Sequence, residues 1–174
     1  TRTNLSGADL RGADLKWANL SGADLTRANL TGATLNGAHL WEARFRGARM
    51  RRVSLVGTDL KWANLAGENL QGADLTLVNL SGADLSKTDL RSALLTKAKL
   101  AGANLQGVNL AMGKLIGANL SEANARKANF AGADLTSADL KWTNLGQANL
   151  SGANMTGADL SYTSLFKANL NGAE

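Results

Sequence analysis

The sequence predicts an all-β solenoid, and three observations predict it. An apolar residue recurs at every fifth position from Leu5 to Leu170, without an insertion or deletion. A small residue, mostly alanine, stands two places before each of these centres, with Asn or Asp between the two. Glycine is frequent two places after the centre, as at Gly7, Gly12, Gly22 and Gly32. A period of five fits neither the 3.6-residue helix nor the two-residue alternation of a long strand. It fits a short extended segment followed by a corner.

Each part of the unit then has a place. Alanine and the centre are two residues apart, so in an extended segment both face one side and Asn or Asp faces the other. The next two residues turn the chain, and glycine at the second permits positive φ there. Repetition coils the chain around a core of leucine and alanine. Successive coils can hydrogen-bond at a spacing of about 4.8 Å.

The units ADLRG, ADLKW, ANLSG and ADLTR resemble the A(D/N)LXX motif of the pentapeptide-repeat family, and the resemblance covers essentially the whole chain. It implies a right-handed quadrilateral parallel β-helix with four pentapeptides per coil. The 174 residues would then form a single domain, 1–174, of between eight and nine coils, about 40 Å long at the inter-strand spacing. In that frame Trp62 and Trp142 share a column, whereas Trp17 lies in another. Phe45 and Met50 replace central leucines and are expected to be core. Ala125 also replaces one, and Phe130, the next centre of the same coil, is expected to fill the missing volume because cores resist cavities. Glu68 occupies an inward alanine slot between Ala48 and Thr88. A buried unpaired carboxylate is costly, so its side chain is expected to escape at the corner or to find a partner.

Composition excludes several classes of function. No cysteine or proline is present, so there is no disulfide framework and no cysteine-based metal site. No apolar run approaches the roughly 18–20 residues that span a bilayer, and TRTNLSGADL lacks the features of a signal peptide. The localisation is therefore left open. The chain begins in mid-pattern and reads as an excised piece of a longer protein, whose other parts could carry further domains. His39, the only histidine, sits in an outward slot without a second metal ligand at suitable spacing. Neither a catalytic constellation nor a phosphate-binding glycine loop stands out, so no enzyme activity and no cofactor or metal is expected.

One stretch stands apart. WEARFRGARMRR, residues 41–52, holds five of the ten arginines in a chain of net charge +5. With Phe45 and Met50 inward, Arg44, Arg46, Arg49, Arg51 and Arg52 take outward or corner slots. In the 20-residue frame, Arg11, Arg27, Lys87, Arg91, Arg126, Lys127 and Lys167 join most of them on one face and its two corners. Only Asp9 and Asp89 oppose them among the outward positions there. The candidate binding strip is thus Arg27, Arg44, Arg46, Arg49, Arg51, Arg52, Lys87, Arg91, Arg126 and Lys127. Trp142 and Tyr162 should stack in one outward column, with Phe166 a corner away, as a candidate surface for end-to-end self-association.

The expected function is a non-enzymatic protein-interaction scaffold, a rigid rod with a basic face. The alternative is direct binding of a polyanion, either nucleic acid or an anionic membrane surface, through the arginine coil. The resemblance adds a third reading, topoisomerase inhibition by DNA mimicry. That reading requires an acidic rod, and this one is basic.

Overall fold

The computed structural model describes residues 3–174. Every outward residue from Asn4 to Asn149 is bridged in parallel to the residue 20 positions later, as in Asn4 to Asp24 and Asn149 to Asn169. Four sides therefore follow one another in each coil. The first carries Asn4, Asp24 and Arg44, the second Asp9, Asn29 and Arg49, the third Asp14, Thr34 and Ser54, and the fourth Asn19, His39 and Asp59. Each side contributes a single bridged residue rather than a strand, because corners consume two of every five residues. No helix is present among the described residues, and none is long and apolar enough to cross a membrane.

The corners explain the sequence pattern in more detail than alternation does. The N–H of each alanine-slot residue donates to the carbonyl of the preceding centre, as Ala8 does to Leu5 at 3.1 Å. The second corner residue has positive φ at every corner from residue 7 to residue 172. This is the type II turn, which favours glycine at that position. Half of these residues are nevertheless not glycine, among them Trp62, Leu77 and Arg52. The outward Asn or Asp also holds the corner. Its side-chain oxygen accepts the N–H of the residue two places on, as Asn4 does from Ser6 at 3.0 Å and Asp74 from Thr76 at 3.0 Å. This local bond caps the first corner residue.

The core follows the sequence expectation. Central leucines and their alanines are buried from Leu20 to Ala153, and Phe45, Met50, Ala125 and Phe130 are buried with them. Threonines in alanine slots stay inward by donating to a carbonyl one coil back: Thr58 to Leu35, Thr88 to Leu65 and Thr143 to Leu120, at 2.7–3.0 Å. If Phe130 fills the space that Ala125 leaves, the two sites are coupled. Phe130→Leu and Ala125→Leu should each destabilise by about 1 kcal/mol or more, and the double variant should recover most of the loss in a double-mutant cycle. Strict additivity would show the sites to be independent.

Candidate functional site

The arginine coil departs from the inter-coil ladder that holds the rest of the rod together. Elsewhere each centre donates its N–H to the carbonyl 19 residues ahead, as Leu25 does to Arg44 at 2.8 Å and Leu85 to Asn104 at 2.8 Å. Among the described residues the N–H groups of Phe45, Met50, Arg52 and Asn69 make no such bond across to the adjoining coil. The bonds from Asn64 to Ala43 and from Asp74 to Val53, which flank the gap, are long at 3.4 Å each. The coils stay in register, Arg44 opposite Asn64 and Arg49 opposite Asn69, but a seam runs between residues 45–52 and 64–71. Arg44 and Arg49 also stand where Asn or Asp would cap the corner, as Leu94, Lys99 and Lys114 do further along the rod.

The seam has a physical cause. The N–H of Gly47 donates to the Glu68 carboxylate at 2.8 Å instead of to a backbone carbonyl. Glu68 is 8% exposed, so it does find its partner at the corner, but it stays inside to do so. Burial pushes its carboxyl above the ordinary range, and the Gly47 bond only partly opposes this. Phe45 and Met50 fill the core immediately beside this wedge. A carboxylate in an alanine slot and two altered centres thus coincide with the place where the ladder opens.

The ten candidate cations do not form one continuous strip. Arg44 lies on the first side and pairs with Asp24 at 2.9 Å. Arg91 pairs with Asp89 at 2.7 Å, as Arg11 does with Asp9. These contacts hold the carboxyls of Asp9 and Asp89 below their usual value. Arg27, Arg46, Arg49, Arg51, Arg52, Lys87, Arg126 and Lys127 make no ion pair among the described residues. Four of these eight lie in the single coil segment 46–52. Arg27 sits one coil before them, and its aliphatic stem runs over Gly47. Three shallow recesses surround this segment. One of about 290 Å³ is lined by Asp24, Thr26, Arg44, Phe45, Arg46 and Asn64. A second of about 290 Å³ is lined by Ser6, Thr26, Arg27, Arg46 and Gly47, and a third of about 310 Å³ by Thr31, Arg51 and Arg52.

The aromatic residues fall into two arrangements. Trp142 and Tyr162 stack with ring centroids 4.1 Å apart and planes 8° from parallel. Phe166 stands exposed at the next corner, with the Lys167 ammonium 5.2 Å from its ring centroid. Trp17 and Trp62 instead lie over Gly37 and Gly82 of the following coil, where a Cβ would collide with the indole. His39 is an exposed bridged residue, and no group of metal-ligating side chains occurs among the described residues.

The seam is the feature that sequence reasoning missed. Its signal was present, since Glu68 and the two non-leucine centres fall in adjoining coils. The pairing of Arg11 and Arg91 was signalled by Asp9 and Asp89 on the same face, whereas that of Arg44 with Asp24 depends on side-chain geometry.

Comparison with known proteins bears on the same coil architecture. The pentapeptide-repeat family profile matches in eight copies, over residues 1–27, 28–67, 54–91, 73–111, 114–152 and 133–172. Among solved structures, the chain is similar to HetL of the cyanobacterium Nostoc sp. strain PCC 7120, described as involved in heterocyst differentiation regulation. The identity is 34%, over 98% of this chain and 84% of HetL, with a TM-score of 0.51. It is also similar to trypsin-treated QnrB1, a plasmid-mediated fluoroquinolone resistance protein, at 20% identity over 99% of this chain and 89% of that one, with a TM-score of 0.86. No curated protein matches the chain.

Proposed function

Because the chain belongs to the pentapeptide-repeat family, we propose that it is a non-catalytic interaction scaffold, a right-handed quadrilateral rod of between eight and nine coils that docks an anionic partner on its arginine coil. One observation carries this reading. The coil that concentrates the unpaired arginines is also the one that gives up its inter-coil hydrogen bonds. Local rules that stabilise a fold are most often broken where function requires it. HetL, 34% identical to this chain, is described as involved in regulation, which is compatible with an interaction role. The net charge of +5 speaks against imitation of DNA and for attraction of an anion.

The test is salt-dependent binding to immobilised heparin, duplex DNA and anionic vesicles. Replacing Arg46, Arg49, Arg51 and Arg52 with serine is expected to remove most of the low-salt affinity, and to change stability by no more than about 0.5 kcal/mol per site. The control removes Lys61, Lys97, Lys99 and Lys114, an equal charge on other parts of the surface. Equal loss in both variants would reduce the effect to net charge and sink the reading.

A second observation favours self-association. The stacked Trp142 and Tyr162 rings and the Phe166 ring are all solvent-exposed. Replacing all three with serine should lower the oligomer fraction in sedimentation velocity. A wild-type chain that stays monomeric at high concentration would end this proposal.

A further inference from the structure

Among the unpaired cations on the second side and its corners, the densest group lies across the rod, within one coil. Residues 46–52 hold four of them. The coil that follows has none there, since its corner and side residues are Ala66, Gly67, Asn69, Gln71 and Gly72. Lys87 is isolated one coil beyond that, and Arg126 and Lys127 are two coils further on. The nearest carboxylates are already engaged: Asp24 by Arg44, Asp9 and Asp89 by Arg11 and Arg91, and Glu68 by the Gly47 amide. Among the described residues none of the four guanidiniums is ion-paired, so all four are open to an anion from outside.

The shape of the array selects the ligand. Beyond residues 46–52, a duplex lying along the rod would meet unpaired cations only at every second coil. A narrow ligand crossing the rod meets all four arginines in sequence as the chain turns two corners. Single-stranded nucleic acid is narrow enough, but its binding surfaces combine basic grooves with aromatic platforms for the bases. Among the described residues no exposed aromatic stands beside this segment on the second side or its corners: Phe45, which lines one recess, is buried, and the Asp24 carboxylate there is paired with Arg44. Carboxylates match the arginine fork, two oxygens to two N–H groups.

We propose that residues 46–52 form a transverse belt that binds an extended acidic peptide segment of a partner protein. This inference rests on the anionic-partner reading above and narrows it to one class of ligand. Threonine and asparagine side chains in the recesses on either side would receive the neutral residues of such a segment.

The experiment measures fluorescence anisotropy of a labelled Glu-rich octapeptide, with an oligonucleotide of equal charge and a duplex as competitors, at low and physiological salt. One variant replaces Arg46, Arg49, Arg51 and Arg52 with serine. A second replaces Lys87, Arg126, Lys127 and Lys167, an equal charge on the same side and corners but spread along the rod. The peptide is expected to bind, and its affinity to fall by about tenfold or more in the first variant and by about twofold or less in the second. Equal losses would show that the belt is not the unit of recognition. Tighter binding of the oligonucleotide or duplex than of the peptide would overturn this inference and leave the anionic-partner reading standing. Absence of binding to every probe at low salt would overturn both.

Discussion

Replacement of Leu85 by alanine is expected to lower the stability of the rod by roughly 2–5 kcal/mol. Leu85 is fully buried near the middle of the chain, and its backbone is tied to Asn104 at 2.8 Å. Its central neighbours in the flanking coils, Leu65 and Leu105, are fully buried as well. The loss should fall at the upper end of that range, because a solenoid cannot collapse around a cavity. The ladder on either side sets the distance between coils, so neighbouring leucines cannot move inward to fill the space. Urea unfolding reads this as a lower midpoint at unchanged slope. Leu5 is only partly buried, and the same change there should cost less. An unmoved midpoint for Leu85→Ala would mean that the centres do not form the core.

Glu68→Ala should act in the opposite direction and raise stability by roughly 1–3 kcal/mol, since it removes a buried carboxylate and lets Gly47 return to the ladder. The effect should depend on pH. The Glu68 carboxyl is shifted upward by burial, so between its unfolded and folded values the folded chain holds more protons than the unfolded one. Wild-type stability therefore falls as pH rises through that interval, from the ordinary glutamate value of about 4.3 upward. The advantage of the alanine variant should be small in acid and grow across this window to a plateau. Hydrogen exchange offers an independent reading. The amides of Phe45, Met50, Arg52 and Asn69 should exchange faster than their counterparts elsewhere in the rod, and should slow in Glu68→Ala. A variant equally stable at all pH values, with unchanged exchange, would show that the carboxylate does not hold the seam open.

These two sites also mark what could be read from the chain before its structure. The inward leucines needed only the period. So did the outward placement of the arginines, once Phe45 and Met50 were read as core. The stack of Trp142 on Tyr162 followed from register, and the cost of burying a charge left Glu68 either to escape at the corner or to find a partner, of which the structure shows the second. Other features depended on bonds that a pattern does not display. The outward Asn and Asp appeared to be surface residues and are corner caps, because their oxygens reach an N–H two residues on. Positive φ extends to tryptophan and arginine, because the coil geometry imposes the turn on whatever residue falls there. Two of the ten candidate cations, Arg44 and Arg91, are ion-paired because Asp24 and Asp89 lie within reach of them.

The 20-residue register has a consequence for how such a chain can change length. Loss or duplication of 20 residues would shorten or lengthen the rod by about 4.8 Å and leave every column aligned. Loss of a single pentapeptide between residues 90 and 120 would keep each local unit intact and still carry everything beyond it a quarter turn around the axis. The Trp142 and Tyr162 rings would then project from a different edge relative to the arginine belt. Tandem duplication and deletion in this gene are therefore quantised: whole coils adjust the reach between two surfaces, and single repeats change the direction in which they face.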